Sequence, residues 1–325
     1  MPARPFSLFA LEASRPYGER VARRLGILLS RHEEREFEDG EHKARPLDPV
    51  RGHDAAVIHG LYGESGHSAN DKLCRLLFFC AALKDAGARR VTAVVPYLCY
   101  ARKDRRTQLN DPITSRYTAS LFEACGIDMV VTVEVHNVAA FENAFRHPTR
   151  HIETAPLLAS HFAALLGTDA VVAVSPDAGG AKRAESFRRA LEQALGRPVG
   201  NALMEKYRGG GIVSGALLAG EVDGRTAVIV DDLISTGGTL RRCAQACRNA
   251  GATRIFAAAA HGLFMQGAAE LLADPLFERI VVLDTVPPFR IAPDLAERRL
   301  TVLDSSAAVA AVLGEEGAAT GLTES

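Results

Sequence analysis

Short runs of apolar residues alternate along the chain with longer segments whose apolar positions recur at helical spacing. The apolar runs are rich in Val, Ile and Ala, and they predict strands at 55–59, 91–95, 129–135, 170–174, 226–230, 254–260 and 279–284. Nearly continuous apolar strands separated by helices are typical of a parallel sheet that is covered on both faces. The pattern therefore predicts the α/β fold class.

Two stretches of this pattern resemble each other. Segments 50–58 and 222–230 each place a glycine in a turn before a buried strand. Segments 83–95 and 247–259 each contain the end of a helix, an Ala-Gly stop and a further strand. A glycine directly after a helix fits a left-handed C-terminal cap. We therefore predict two related α/β halves, joined near residues 145–155.

Composition narrows the class of protein. Of the 325 residues, 47% are hydrophobic and 24% are charged, and the formal net charge is -1. Such a chain is globular, and a net charge this close to zero provides no general attraction for nucleic acid or an anionic membrane. The longest uninterrupted apolar run, 76–83, is far shorter than the roughly 20 residues that a membrane span needs. We expect neither nucleic acid nor a membrane as a partner.

The N-terminal residues and the cysteines indicate the cell compartment in which we expect the protein. The first residues contain a short apolar patch that is broken by Glu12, without a small-residue cleavage site, so we predict no signal peptide. The six cysteines form no Cys-x-x-Cys pair. Cys243 and Cys247 lie four residues apart, which predicts buried free thiols on one helix face. We expect a cytoplasmic protein with reduced cysteines.

The stretch VIVDDLISTGGTL, residues 228–240, carries the clearest chemistry. Backbone N–H groups and hydroxyls of its loop, 235–239, precede a predicted helix, and this geometry holds a phosphate dianion well. The adjacent carboxylates of Asp231 and Asp232 would repel a phosphate, but they suit neighbouring hydroxyls, which donate strong hydrogen bonds to ionised carboxylates. A phosphate beside a diol describes ribose 5-phosphate. The equivalent turn of the first half, 59–70, has neither feature, so we predict one sugar-phosphate site.

This stretch resembles the motif for phosphoribosyl diphosphate (PRPP) that type I phosphoribosyltransferases share with ribose-phosphate pyrophosphokinases, also called PRPP synthetases. The resemblance implies two duplicated type I phosphoribosyltransferase-like domains, 1–148 and 149–305, each with a mostly parallel sheet flanked by helices. Residues 306–325 would form a C-terminal helix or tail, with packing on the first domain as an option. The sugar-phosphate site would comprise Asp231, Asp232, Ser235, Thr236, Gly237, Gly238 and Thr239.

Further segments resemble the pyrophosphokinases in the right order. FEDGEH, residues 37–42, is similar to their adenine-binding hairpin, in which Phe37 would stack beside Gly40 while Asp39 and Glu41 accept hydrogen bonds. Alone, this segment would be a polar turn. The resemblance places ATP against it.

The segment 96–117, PYLCYARKDRRTQLNDPITSRY, carries a run of cations just beyond a predicted strand. It resembles the family's ATP segment, and the resemblance makes Arg102, Lys103 and Asp104 ATP-binding residues. The family typically has an Arg-Gln pair where this chain has Arg102-Lys103. Lysine contacts a phosphate but cannot accept a hydrogen bond as glutamine does.

Two other segments supply candidate metal contacts. In 132–145, Glu134-Val135-His136 resembles the family's Asp-Leu-His region, which makes His136 a contact of Mg²⁺ or of an ATP phosphate. In 172–187, a strand, Ser-Pro-Asp, two glycines and a helix form a second anion cradle, and Asp177 is placed to hold a hard cation. By resemblance this is the pyrophosphate loop, with Gly179 and Gly180, and with Asp177 as a Mg²⁺ ligand, directly or through water.

In MEKYRGGGIVSG, residues 204–215, Lys206 and Arg208 alternate, so an extended strand would point them the same way. Three glycines follow, and a cationic arm on a hinge predicts a lid over developing phosphoryl charge. The alternative is a surface hairpin with ordinary charges. By resemblance, Lys206 is the catalytic lysine and Arg208 a catalytic and ribose-phosphate-binding arginine, with Tyr207 in place of the family's middle arginine.

The resemblance implies transfer of the β,γ-diphosphoryl group of MgATP to the C1 hydroxyl of ribose 5-phosphate, giving PRPP and AMP. It also implies a homo-oligomer built from dimers, with a hexamer as an option. A phosphoribosyltransferase that uses PRPP is one alternative, although it needs neither the duplication nor the ATP segments. A non-catalytic regulatory relative is another, because Lys103, Tyr207 and Ser235 are unusual together for the family.

Overall fold

A computed structural model describes residues 5–209 and 212–319, and the side chains of these residues outside 205–216 and 317–319. Its contacts divide the chain into two units. One runs to Ile152 and also includes the chain from Ser305 on, and the other is Glu153–Asp304.

The first unit contains a five-stranded parallel sheet and a separate antiparallel hairpin. Its elements in chain order are β1 (Phe6–Ala10), α1 (Arg15–Leu25), β2 (His32–Glu36), β3 (His42–Pro46), β4 (Asp54–Ile58), α2 (Ala69–Asp85), β5 (Arg90–Val95), α3 (Thr114–Ala124), β6 (Met129–Val133), α4 (Val138–Ala144) and β7 (Thr149–Ile152). The sheet order is β1-β4-β5-β6-β7, while β2 and β3 pair only with each other.

The second unit contains a seven-stranded sheet. Its elements are α5 (Ala155–Leu166), β8 (Val171–Ser175), α6 (Ala181–Leu195), β9 (Gly200–Gly209), β10 (Ile212–Ala219), β11 (Thr226–Ile234), α7 (Gly238–Asn249), β12 (Arg254–Gly262), α8 (Ala268–Ala273), β13 (Arg279–Leu283), α9 (Pro293–Arg299) and β14 (Leu300–Leu303). The order is β10-β9-β8-β11-β12-β13-β14, and only the β9–β10 pair is antiparallel.

The C-terminal helix α10 (Ser306–Ala319) returns to the first unit. The hydroxyl groups of Tyr17 and Ser305 lie 2.8 Å apart and share a hydrogen bond. The carboxylate of Glu316 lies 3.2 Å from a guanidinium nitrogen of Arg90 and 2.7 Å from one of Arg150. These contacts join α10 to α1 and to the strands at the amino edge of the first sheet.

The α/β class predicted from the apolar pattern is confirmed. Each of the seven predicted strands is present, and β4, β6 and β8 are buried along their whole length. Burying one such Val, Ile or Leu side chain stabilises the fold by about 1.5–3 kcal/mol, which explains why the parallel strands read as apolar runs. The periodicity also identified the buried face of α7, which consists of Leu240, Cys243, Ala244 and Cys247. All six cysteines are free.

Two strand boundaries differ from those that the pattern predicts. The run 129–135 predicts a longer strand, but β6 ends at Val133 because Glu134 turns the backbone into the left-handed region, with φ 41°. The run 226–230 predicts a shorter strand, but β11 continues to Ile234 because β12 pairs with it as far as Gly262. Among the described helices, none has the length and apolar character that crossing a bilayer would require.

Candidate active site

The chain leaves β8 and β11 in opposite directions across the second sheet. After β8 it passes through α6 to β9 on one side, and after β11 it passes through α7 to β12 on the other. In open α/β sheets, ligands bind outside the carboxyl ends of strands at such a topological switch point. The loop after β8 is the predicted pyrophosphate loop, and the loop after β11 is the predicted sugar-phosphate loop. The topology therefore brings the two predicted anion sites to one crevice.

The two acids lie inside β11, not after it as the apolar pattern predicts. β8 pairs with β11 only as far as Ile229, whereas β12 pairs with it to its end. The last part of β11 therefore projects beyond β8 into the crevice. The following loop is held by backbone hydrogen bonds from Phe264 N–H to the carbonyl of Ile234 and from Met265 N–H to that of Ser235, both 3.0 Å.

Asp231 and Asp232 are adjacent acids in a largely buried part of β11. Asp232 is 5% exposed, and its backbone N–H donates a 2.9 Å hydrogen bond to Asp231 Oδ1. Burial, followed by a side-chain hydrogen bond with Asp232 and the charge of Asp232, raises the pKa of Asp231 to about 7, although the bond from the Asp232 backbone N–H acts in the opposite direction. Removing a carboxylate from water disfavours its ionised form unless donors or cations replace the water. The pair therefore suits a ligand that supplies hydroxyl donors.

Arg183 is a member of this site that the sequence reasoning missed. Its Nη1 lies 3.9 Å from one carboxylate oxygen of Asp231 and 3.9 Å from one of Asp232. It lies in the first turn of α6, where a cation is unfavourable for the helix dipole. The sequence did contain a signal, because Arg183 follows shortly after the two glycines of a loop. A basic residue in that position indicates a side chain that faces acids of another element.

The sugar-phosphate loop has the backbone geometry that the sequence predicted. Gly237 has φ 84°, and a Cβ at this position would lie 2.6 Å from the side chain of Leu271, so only glycine fits here. The helix α7 begins at Gly238. Because the first N–H groups of a helix have no intrahelical acceptor, this end can bind an anion. The loop therefore offers N–H donors next to the acid pair.

The predicted pyrophosphate loop is also tightly closed. The hydroxyl of Ser175 donates a 2.7 Å hydrogen bond to the carbonyl of Asp177, and the N–H of Gly180 donates to Asp177 Oδ1 at 3.2 Å. A Cβ on Gly180 would lie 3.0 Å from Ser175 Oγ. The loop thus sets a partly buried carboxylate at the amino end of α6.

The predicted lid is placed by its backbone. β9 runs parallel to β8, and Leu203 pairs with Ser175, the last residue of β8. Lys206 and Arg208 therefore lie past the carboxyl end of β8, at the edge where both loops lie. Their side chains, that of Tyr207 and the glycines at 210 and 211 lie outside the described residues, so the lid stays a prediction.

In the first unit, the segment predicted to bind ATP phosphates forms a compact loop. Tyr100 and Asn110 both have a positive φ, 60° and 65°, and they bracket it. Asp104 accepts a 2.7 Å hydrogen bond from Asn137 Nδ2. Arg102 and Arg105 are exposed, and neither forms an ion pair with any described residue.

His136 is exposed just beyond β6. Glu134, two residues earlier, is only 8% exposed and has φ 41°. A non-glycine residue in this conformation is strained, and such strain is concentrated at functional sites. The strain lies at the same carboxyl edge as the loop with Arg102.

The segment 37–42 forms the turn between β2 and β3. The N–H of Phe37 donates to the carbonyl of Glu41 at 2.7 Å, and Gly40 has φ 89°. The N–H of Glu41 donates to Asp39 Oδ1 at 3.1 Å. The ring of Phe37 is 40% exposed, which leaves room for a stacking partner. The predicted ATP residues therefore all lie in the first unit, and the sugar and pyrophosphate residues lie in the second.

Two family models and several known proteins are similar to this chain. Residues 6–126 match the model of the N-terminal domain of ribose phosphate pyrophosphokinase, and residues 215–313 match that of the phosphoribosyl synthetase-associated domain. The chain is 34% identical over 309 residues to ribose-phosphate pyrophosphokinase 1 of Streptococcus mutans, covering 93% of this chain and 92% of that protein. It is 35% identical over 284 residues to the Streptococcus pyogenes protein of the same name, covering 86% and 85%.

A solved structure agrees with these relatives. Phosphoribosylpyrophosphate synthetase from Mycobacterium smegmatis matches with a TM-score of 0.84 and 30% sequence identity, covering 97% of this chain and 98% of that one. Sequence and fold agree along nearly the whole chain, so it belongs to the ribose-phosphate pyrophosphokinase family and is an enzyme of this type.

Proposed function

We propose that the crevice between β8 and β11 binds ribose 5-phosphate for the reaction of this family, in which the β,γ-diphosphoryl group of ATP moves to the sugar's C1 hydroxyl and AMP leaves. The observation that carries the proposal is the pair of adjacent carboxylates beside the amino end of α7, Asp232 buried and Asp231 half-buried with a raised pKa. Hydroxyls of the sugar would donate to these carboxylates, while the N–H groups of the loop 235–239 hold the phosphate.

In phosphoryl transfer, the protein contributes mainly position and charge. Asp231 and Asp232 would fix the sugar so that its C1 hydroxyl faces the β-phosphorus in line with the leaving AMP. Lys206 and Arg208 belong to β9, whose backbone runs along this edge, and they would stabilise the negative charge that develops on the transferred group. A sugar that is held without these cations would bind but react slowly.

The residues of the pyrophosphate loop fit Mg²⁺. Among the described residues, no group of three or more His, Cys, Asp or Glu could hold a metal by itself. Mg²⁺ does not need one, because it is usually bound through one or two carboxylates, water and substrate phosphates. Asp177 offers such a carboxylate. Bound with ATP, Mg²⁺ would neutralise part of the phosphate charge.

His136 fits a different role better than that of a direct Mg²⁺ ligand. Imidazole suits transition metals, whereas Mg²⁺ prefers oxygen. We therefore assign the exposed His136 to an ATP phosphate or to a water of the metal. Phe37, Asp39 and Glu41 would hold the adenine, and Arg102 and Asp104 the phosphate side of the ATP site.

The family resemblance adds an assembly to this proposal. The hairpin of a neighbouring subunit would complete each ATP site, which requires a homo-oligomer built from dimers. The mass in solution, measured by light scattering, tests this directly. A monomer that keeps full activity would exclude the shared ATP site. The cytoplasmic location likewise stays a prediction.

The decisive experiment is incubation with MgATP and ribose 5-phosphate, followed by assay of AMP and PRPP. We expect both products in equal amounts. A phosphoribosyltransferase would form neither, and a regulatory relative would be inert alone while altering an active partner. Product formation without MgCl₂, in the presence of a chelator, would exclude the assigned metal.

A further inference from the structure

The loop after β5 in the first unit closes around one carboxylate. Oδ2 of Asp111 accepts hydrogen bonds from the backbone N–H groups of Thr107 and Gln108, at 2.9 and 3.0 Å. The hydroxyl of Thr107 donates to the same oxygen at 2.7 Å. Lys103 Nζ lies 2.5 Å from it and 3.1 Å from the hydroxyl of Thr107. The ammonium group is therefore held within its own loop.

Two further bonds tie the backbone of this loop together. The side chain of Arg106 donates from Nε to the carbonyl of Asp111 at 3.3 Å, and the N–H of Ser115 donates to the carbonyl of Lys103 at 3.3 Å. The hydrogen bond from Lys103 is the largest of several contacts that hold the pKa of Asp111 far below its ordinary value. The carboxylate of Asp111 therefore stays ionised at neutral pH.

This arrangement changes which cations can meet a triphosphate. The carboxylate of Asp111 lies 2.5 Å from the ammonium group of Lys103 and compensates its charge. A phosphate oxygen would therefore have to compete with Asp111 for this ammonium group. The exposed Arg102 and Arg105, which form no ion pair with any described residue, carry no such cost. Arg105 lies within the segment that the Lys103–Asp111 pair closes, and Arg102 lies directly before it.

We infer that Lys103 is a positioning residue, which braces the loop through Asp111 so that Arg102 and Arg105 face the nucleotide phosphates, and that it is not itself a phosphate ligand. The inference rests on the proposed function, because it assumes that this loop binds ATP. Lys103, which stands where the family typically has glutamine, would therefore hold the conformation of the loop.

The test is a double-mutant cycle with Lys103→Met, Asp111→Asn and the double variant. If the two residues act as one brace, each single change raises the KM for ATP by about 3- to 10-fold with little change in kcat, and the double variant is no worse than either. If Lys103 binds phosphate directly, Asp111→Asn frees the ammonium and leaves the KM unchanged or lower, while Lys103→Met raises it. That second result would overturn the inference.

The matched control is Lys84→Met. Lys84 and Asp128 form an ion pair of similar exposure, 2.9 Å long, at the opposite edge of the same sheet. This variant should leave the KM for ATP unchanged, and an equal rise there would show that the Lys103 effect is only general loss of charge or stability.

A second readout separates this inference from the proposed function. An arginine-specific protease should cut the loop at Arg102, Arg105 or Arg106 several-fold faster in both single variants than in the wild-type chain. Equal cutting rates in the variants and the wild-type chain would contradict the bracing role of Lys103, even if the enzyme makes PRPP. Failure of the wild-type protein to form AMP would remove the proposed function, and faster cutting of the variants would still establish the brace.

Discussion

The carboxyl edges of the two sheets have the same architecture and opposite chemistry. The order β1-β4-β5-β6-β7 in the first unit corresponds to β8-β11-β12-β13-β14 in the second. The hairpins differ, because β2–β3 pairs only with itself, whereas β9 joins β8 and extends the second sheet. Only the second edge therefore receives a strand that carries cations past the crevice.

In the first unit, the crevice after β1 and β4 is filled by its own side chains. His59, directly after β4, is 1% exposed, and its Nδ1 lies 3.1 Å from the hydroxyl of Ser14, directly before α1. Burial, then the charge of Lys72, lowers the pKa of His59 to about 3. Lys72 is 1% exposed, lies 2.6 Å from a carboxylate oxygen of Glu64, and has its ammonium 3.6 Å from the centre of the Tyr62 ring.

At the same point of the scaffold, the second edge keeps two adjacent acids, Asp231 and Asp232. The pKa of Asp231 is raised, and the nearest guanidinium, that of Arg183, stays 3.9 Å away. The comparison teaches that duplication preserved the strands while loop residues decided which crevice stays open. The buried cation Lys72 occupies the crevice after β4, whereas the crevice after β11 offers two acidic side chains to a ligand.

The largest expected effect is that of Lys206→Ala at the open edge. Because the lysine would stabilise charge that develops only in the transition state, kcat should fall by about 1,000-fold while the Kd of ribose 5-phosphate stays nearly unchanged. Steady-state kinetics and equilibrium sugar binding measure the two values. An unchanged kcat would remove the lid from the mechanism.

Lys72→Met should break the closed edge. Lys72 is buried and its partner Glu64 is half-buried, so losing the cation leaves that carboxylate less compensated and we expect a loss of about 2–4 kcal/mol in the free energy of unfolding. Urea denaturation measures it. The double variant with Glu64→Gln should recover part of the loss, and a Lys72→Met protein of wild-type stability would show that the pair does not hold this edge.

Asp231→Asn should weaken the binding of ribose 5-phosphate at the open edge by about 10- to 100-fold, because charge-assisted hydrogen bonds contribute about 1.5–3 kcal/mol each. Calorimetric titration without nucleotide measures the Kd. Asn keeps the shape of the side chain, so normal thermal unfolding of the variant would assign the loss to charge. Wild-type affinity would contradict the assignment of the acids to the sugar.

The smallest effect is a dependence on pH that sharpens the comparison. Because the pKa of Asp231 is raised to about 7, its carboxylate is ionised only above that pH, and sugar binding should strengthen as the pH rises through 7. Below the pKa, each unit weakens binding by up to about tenfold. Asp232→Asn removes one cause of the raised pKa and should move the midpoint to lower pH.

The control for this profile is Asp231→Asn, which retains the titration of the sugar phosphate itself, with a pKa near 6. Subtracting its profile isolates the carboxyl group. A midpoint that does not move in Asp232→Asn would show that the two acids do not interact.

Local pattern was sufficient for much of the molecule. The apolar runs predicted β4, β8 and β11, because a strand that is buried on both faces must be apolar whatever it packs against. The position of the loop 235–239 was equally readable, since a glycine-rich turn between a strand and a helix has few backbone solutions. The resemblance then supplied roles that no pattern contains.

What the sequence determined by itself is thus the apolar strands of both sheets, the duplication of the two halves and the residue types that each candidate loop carries. Tertiary structure decided the pairings between distant residues: Arg183 against the acids of β11, Lys72 sealing one edge, and β9 joining a sheet while β2 does not. The physical reason is the distance along the chain between the residues on which each feature depends. Burial periodicity depends on each segment's own residues, whereas a charge's partner depends on which side chains the folded chain brings within a few ångströms.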